Sequence, residues 1–243
     1  MTHGHHRPQA ADISRPSLTR AAAWREIALI TGVLWAVLGV GCFFLGAQWI
    51  YDTWGTSINA ALILDVMFFV ACSGLVAFAW WRQRLAGESF RELGWGRRAP
   101  WPAMIIAVVY GLAWVGLSYM RGGDPFAVTW QRPLMMAMGL MLAFGEEIMV
   151  RGLILDRLAR CDTNRLLQIV VSGGIMAAYH GVIGHHIWPS YWVSSFVLFS
   201  ILSALYVYGG RSMTPAYIAH AMTHFLGDPP LIQGILMGVQ YGG

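Results

Sequence analysis

The chain alternates between long apolar runs and short polar connections. Seven apolar runs, each near the length of one membrane crossing, lie at about 27–50, 58–81, 101–120, 134–155, 166–187, 190–208 and 212–226. A helix of about 20 residues crosses the hydrocarbon core of a bilayer. A shorter run at 231–241 predicts an eighth helix that is tilted or half inserted. The pattern therefore predicts an all-α, polytopic membrane helical bundle with seven or eight transmembrane helices.

Composition supports a membrane protein and one bundle. Of the 243 residues, 57% are hydrophobic and only 12% are charged, whereas a soluble domain has about 25% charged residues. Residues 1–19 are polar and contain prolines, which predicts a mobile N-terminal tail before a membrane bundle at 20–243. The first apolar run is too long for a signal-peptide core, so we expect it to remain as an anchor.

The basic residues indicate how the bundle is oriented. All 16 of them are arginine, and they concentrate in the N-terminal segment and in the connections after the second, fourth and sixth runs. The positive-inside rule then places the N-terminus and the arginine-rich connections in the cytoplasm. We expect the chain to lie in the cell (inner) membrane. Without lysine or a long basic run, nucleic acid is not an expected partner. Three cysteines are expected to be reduced packing residues: Cys42, Cys72 and Cys161.

Three charges interrupt the fourth apolar run in the stretch FGEEIMVRGL. Each costs about 3 kcal/mol at the centre of a membrane helix, so each needs a physical reason. Glu147 and Arg151 are spaced i,i+4, share a helix face and can neutralise one another. Glu146 is rotated by about 100° from that face. We therefore expect a structural ion pair between Glu147 and Arg151, which leaves Glu146 free to act.

Histidines occupy two other apolar runs. His180 ends MAAYH in the fifth run, and His220 and His224 are spaced i,i+4 in the seventh. Intramembrane ionisable groups face the bundle interior, so three helices are expected to bring Glu146, His180 and His220 together. A buried glutamate with a histidine partner is suited to general-base activation of water. Alternatively, His180 is a core histidine bonded to a carbonyl. Asp65 in the second run is either a supporting partner or a helix-packing group.

Two further histidines stand in the short connection GHHIWPS, at the end of the fifth apolar run. They are His185 and His186. We expect both to be interfacial and solvated.

The first of these motifs resembles that of a known family. Glu146-Glu147-x-x-x-Arg151 is similar to the EExxxR motif of the CAAX protease and bacteriocin-processing (CPBP) family, which includes the type II CAAX prenyl endopeptidases. The family's second motif is an aromatic residue, three spacers and a histidine. Here His180 supplies the histidine, and Met176 stands where phenylalanine is usual. The resemblance implies a supporting role for Glu147 and Arg151.

The family's third motif is a histidine, three spacers and Asn or Asp. His220 matches its histidine, and His224 replaces the amide or acid. The likeness covers about residues 130–226, the expected catalytic core. It implies a hydrolase, a glutamate intramembrane endopeptidase. In it Glu146 and His180 activate water, and His220 and His224 stabilise the oxyanion of the tetrahedral intermediate.

The expected partners are the lipid bilayer and a membrane-anchored protein or peptide substrate. A peptide precursor or a membrane-anchored sorting segment is expected as the substrate, ahead of a prenylated CAAX peptide. This expectation is an analogy with the family, because the motifs describe the chemistry of cleavage and leave the substrate open.

Three alternatives to a metal-free protease stay open. A zinc-dependent membrane peptidase would use His220 and His224 with Glu146 or His180 as a third ligand, although no cofactor is otherwise expected. A proton-coupled transporter would use the buried glutamate and histidines as a relay, but the chain shows no internal repeat. A non-catalytic immunity or binding protein on the same scaffold would explain the departures at Met176 and His224.

Overall fold

The computed structural model describes residues 17–120, 129–180, 189–227 and 230–241. All regular structure in these ranges is helical, so the predicted all-α class is confirmed. The described helices are α1 (Arg20–Trp54), α2 (Ile58–Leu85), α3 (Trp101–Met120), α4 (Gln131–Arg160), α5 (Arg165–Ala178), α6 (Pro189–Tyr208), α7 (Met213–Gly227) and α8 (Pro230–Tyr241). A short 3-10 turn at Phe90–Leu93 lies between α2 and α3.

Three of these helices, α1, α2 and α4, are long and apolar enough to cross a membrane. Shorter apolar helical segments lie at Trp101–Leu117, Arg165–Ala178, Trp192–Tyr208 and Pro230–Gln240. The predicted total of seven or eight spans therefore stays a prediction. Residues 1–16 of the predicted tail lie outside the described residues, as do 181–187 of the fifth apolar run, with His185 and His186.

Side-chain caps set the start of several helices. The Thr19 hydroxyl accepts a hydrogen bond from the backbone N–H of Ala22 at 3.3 Å, so α1 begins where the polar tail ends. Ser57 caps α2 in the same way, with 3.1 Å to the N–H of Ala60. Such caps satisfy backbone donors that a helix leaves unpaired at its N-terminus.

Helix α4 is the inner helix of the bundle. It packs against α2 on one side and α7 on another, while α5 packs against α6 and α3 against α7. In its most apolar stretch of 18 residues, 61% of the residues are buried, compared with 39% in α1 and 33% in α2. The charges of α4 therefore face protein neighbours, which is the condition for tolerating them at membrane depth.

Wide, π-type turns occur within helices α1 and α4. These turns cover Trp35–Gly46 in α1 and Ile148–Ile154 in α4. A π-type turn closes its hydrogen bond over one more residue than an α-helical turn, and such turns are frequent at functional sites. In α4 the segment begins directly after Glu147 and contains Arg151. It therefore sets the direction in which Arg151 projects relative to Glu147.

Helices α2 and α4 approach closely at Gly145, the residue before Glu146. A Cβ atom placed on Gly145 would lie 2.7 Å from the Cβ of Cys72 and 3.1 Å from its Cα. Cys72 is fully buried, as expected for a packing cysteine, and all three cysteines are buried and free. The position of Glu146 thus depends on a glycine contact between the two helices.

Gly145→Ala should lower the free energy of unfolding by about 1–3 kcal/mol, because the added methyl group forces the helices apart. Thermal unfolding of the detergent-solubilised protein measures this change. Gly174→Ala in α5 is the matched control, since its Cβ would meet nothing within 4 Å. Equal unfolding midpoints for the two variants would contradict the close approach of α2 and α4.

Candidate active site

Glu147 and Arg151 form the ion pair that their spacing predicts. Arg151 Nη1 lies 3.1 Å from Glu147 Oε1, and both side chains are fully buried. Arg151 Nη2 also donates a hydrogen bond to the carbonyl oxygen of Phe199 at 2.9 Å. The guanidinium therefore links α4 to α6 while it neutralises Glu147.

Glu147 has a second partner that its spacing does not reveal. The Nδ1 atom of His220 lies 2.8 Å from the same Oε1 atom of Glu147. A carboxylate only accepts hydrogen bonds, so we assign the proton of this contact to Nδ1 of His220. Glu147 thus orients the His220 ring from α4 to α7, in addition to pairing with Arg151.

The two oxygens of Glu146 have different surroundings. The hydroxyl of Tyr179 donates a hydrogen bond to Oε1. Oε2 lies 3.5 Å from Nε2 of His220 and has no hydrogen-bond partner among the described residues. The side chain is buried inside the bundle. One oxygen of this carboxylate is therefore held, and the other is open toward His220.

His180 lies beside this carboxylate with a carbonyl partner of its own. Its Nδ1 lies 2.9 Å from the carbonyl oxygen of Met176, the geometry of the core-histidine alternative. The imidazole packs against the Phe199 ring, with centroids 4.7 Å apart. When Nδ1 donates to the carbonyl, Nε2 of a neutral ring is an acceptor. His180 can therefore be a core histidine and still accept a proton or a hydrogen bond.

Three imidazoles lie close enough to Glu146 to interact with its charge. Glu146 interacts electrostatically with His180, His220 and His224. The rings of His220 and His224 have centroids 5.4 Å apart on α7, and both residues are buried. The structure thus brings together all of the charged and histidine residues that the motifs single out.

Sequence reasoning missed Tyr179 and Phe199. Tyr179 is the residue before His180 in MAAYH. It is fully buried and contacts Glu146 directly. A phenol inside an apolar run was the available signal, because a buried hydroxyl needs a partner. Phe199 contributes a carbonyl oxygen, which no sequence pattern marks. Asp65 is fully buried on α2 and interacts electrostatically with Cys72.

A zinc site would require at least three ligand side chains close together. Across the described ranges, no three His, Cys, Asp or Glu side chains are grouped as they would be around a metal ion. Glu146, His220 and His224 therefore come together without forming a ready-made three-ligand site in these ranges.

The segment that contains the site matches the model of a known protein family. Residues 127–226 match the family model described as Type II CAAX prenyl endopeptidase Rce1-like. No curated protein and no solved structure matches the chain. The matched segment carries every motif residue of the site, in a membrane protein with several apolar helices. Its class is therefore that of the membrane peptide hydrolases. Through this segment the chain is similar to the CAAX protease and bacteriocin-processing family.

Proposed function

We propose that the protein is an intramembrane endopeptidase that hydrolyses a peptide bond of a membrane-associated protein or peptide, with water activated by Glu146. One observation carries the proposal. A buried carboxylate on the inner helix has one oxygen held by Tyr179 and the other open toward His220. Among the described residues, no arginine forms an ion pair with a Glu146 oxygen as Arg151 does with Glu147.

The reaction can be written with Glu146 as a proton carrier. Glu146 Oε2 takes one proton from a water molecule as the water oxygen bonds to the scissile carbonyl carbon, giving a tetrahedral intermediate. Collapse of the intermediate breaks the C–N bond, and the carboxyl group returns the proton to the leaving nitrogen. Glu146 ends the cycle ionised, and one water has been divided between the new carboxyl and amino termini.

His180 supports the first step. Its Nδ1 is directed to the Met176 carbonyl, which leaves Nε2 as an acceptor for the second hydrogen of the attacking water. The Phe199 ring against the imidazole keeps bulk solvent away from that face. The family resemblance assigns the same pair, Glu146 and His180, to water activation.

His220 and His224 are assigned to the oxyanion. With the Nδ1 proton of His220 directed to Glu147, Nε2 donates only when the ring carries both protons. The oxyanion role therefore requires an imidazolium at His220, beside the carboxylate that already binds its Nδ1. His224 follows one turn later on α7 and can supply a second donor. Removal of one such donor typically slows catalysis by about 100- to 1,000-fold.

The position of the arginine-containing segments supports an N-terminus in the cytoplasm. The backbone N–H of Leu18 donates to the carbonyl of Arg160, and Arg160 forms a 3.0 Å ion pair with Glu88 after α2. The hydroxyl of Ser212 donates to the carbonyl of Arg97 at 2.8 Å. Glu88 and Arg97 lie in the same connection between α2 and α3, so these contacts gather the arginine-bearing segments on one side of the bundle. That is the arrangement required by the positive-inside rule.

Cleavage that survives strong chelation is the expected result for this mechanism. The purified protein is incubated in detergent with a mixture of synthetic apolar peptides of about 20 residues, the length of a membrane span. Peptide products are then counted by mass spectrometry before and after chelation. We expect the same products at unchanged rates, because the base and the oxyanion donors are side chains. Loss on chelation with rescue by zinc would establish the metal alternative, and cleavage under neither condition would contradict the peptidase function.

A further inference from the structure

The donor to Glu146 comes from a residue outside the three family motifs. We infer that Tyr179 is a positioning residue for the catalytic base: its hydroxyl fixes the Glu146 carboxylate so that Oε2 is the oxygen that receives the proton of water. This inference rests on the proposed function, since it assigns how that base is held. Tyr179 acts through Glu146 and remains protonated throughout the reaction.

The tyrosine ring contacts two other rings. Tyr179 is fully buried at the end of α5. Its ring meets the Phe43 ring from α1 edge-on, with centroids 5.8 Å apart. It also contacts the imidazole of His180, with centroids 4.1 Å apart. The phenol therefore points across the bundle to α4 in a direction set by packing.

A glutamate needs such an anchor for a physical reason. The terminal torsion of its side chain is broad, so packing of the methylene groups does not fix the plane of the carboxylate. A donor on Oε1 fixes this plane and identifies Oε2 as the remaining acceptor. Of the two carboxylate oxygens, Oε2 is also the one that faces His220.

The kind of donor also separates the two neighbouring glutamates. Glu147 is paired with the full positive charge of Arg151. Glu146 receives a hydrogen bond from a neutral hydroxyl, which orients the carboxylate without cancelling its charge. A base has to keep an electron pair for the proton that it removes. The neutral donor therefore matches the role of Glu146, whereas the charged donor matches the structural role of Glu147.

Tyr179→Phe keeps the ring and removes only the hydroxyl. Small misplacements of catalytic groups cost up to about 100-fold in rate. We expect kcat to fall about 10- to 100-fold and KM to stay within about twofold, because the lost interaction acts on the chemical step. In the Glu146→Gln background, Tyr179→Phe should cause no further loss, since residues that act as a unit are not additive. Both kinetic constants are measured on one peptide substrate identified in the cleavage assay.

Tyr206→Phe is the matched control. Tyr206 is buried like Tyr179. Its hydroxyl donates a hydrogen bond to the backbone carbonyl of Leu93 at 3.2 Å. This variant should retain kcat within about twofold, because its hydrogen bond does not involve Glu146. A kcat for Tyr179→Phe equal to that of Tyr206→Phe would overturn the inference. A rise in KM alone would overturn it too, since that result assigns Tyr179 to substrate binding.

A second replacement keeps the test decisive if Tyr179→Phe fails to fold. Incorporation of 4-aminophenylalanine at position 179 retains the ring and supplies an N–H donor in place of the hydroxyl. We expect its kcat to lie within about tenfold of the wild-type value. A folded protein with this residue and no activity would contradict the positioning role. Full activity in Glu146→Gln would instead contradict the proposed function, so the two failures are distinguishable.

Discussion

Glu146→Gln should lower kcat by about 100- to 10,000-fold, the contribution typical of a general base. Glutamine has nearly the same shape, and its carbonyl oxygen can still accept the hydrogen bond from Tyr179. It cannot take a proton from water, so the loss isolates the chemical step from the packing of the site. Initial rates of peptide cleavage and the unfolding midpoint of the same preparation are measured together.

Glu26→Gln is the control for this change. Glu26 lies on α1 and pairs with Arg82, and both side chains are partly exposed. The same loss of charge outside the site should leave cleavage within about twofold of wild type, because exposed ion pairs contribute little. Full cleavage activity in Glu146→Gln would contradict the assignment of the base.

Arg151→Met should lower the free energy of unfolding strongly, and by more than Gly145→Ala does. The substitution leaves the buried Glu147 carboxylate without its arginine partner and removes one of the hydrogen bonds to the Phe199 carbonyl, which also accepts one from Ser203. Removing one partner of a buried ion pair typically costs about 3–5 kcal/mol, because the remaining charge is left uncompensated. Thermal unfolding in detergent, followed by the loss of helical circular dichroism, measures the change. Arg82→Met, which breaks the partly exposed pair with Glu26, should cost less than about 1 kcal/mol.

The double variant Glu147→Gln with Arg151→Met separates charge from packing. Removing the orphaned Glu147 carboxylate should recover much of the stability lost in Arg151→Met, since neither member of the ion pair then leaves an uncompensated charge behind. Activity should stay low, because His220 has lost the carboxylate bound to its Nδ1 atom. A double variant as unstable as Arg151→Met would show that packing of the guanidinium, and not its charge, stabilises the bundle.

The local features of the site could be predicted from sequence. Hydropathy locates the helices because the length of an apolar run and the thickness of the bilayer are directly related. The Glu147–Arg151 pair follows from i,i+4 spacing, and it survives although wide, π-type turns begin just after Glu147. The gathering of Glu146 with the histidines follows from the high cost of facing ionisable groups toward lipid.

The contacts between helices could not be predicted in the same way. The hydrogen bond from Tyr179 to Glu146 and the contact of His220 with Glu147 join residues on different helices. These two contacts form only when each helix has the right rotation about its axis. Tertiary packing, such as the close approach of Gly145 to Cys72, sets that rotation. Spacing along the chain contains no information about that rotation. Spacing therefore predicts Arg151 as the only partner of Glu147 and does not predict the contact between Tyr179 and Glu146.

Incorporation of oxygen from water tests the central claim most directly. Wild-type protein and Glu146→Gln are each incubated with the apolar peptide mixture in water labelled with heavy oxygen, and the products are analysed by mass spectrometry. Glu146-dependent hydrolysis predicts new carboxyl termini that carry one labelled oxygen with the wild-type protein, and none above background with Glu146→Gln. The same labelled products at the same rate from both proteins would contradict it.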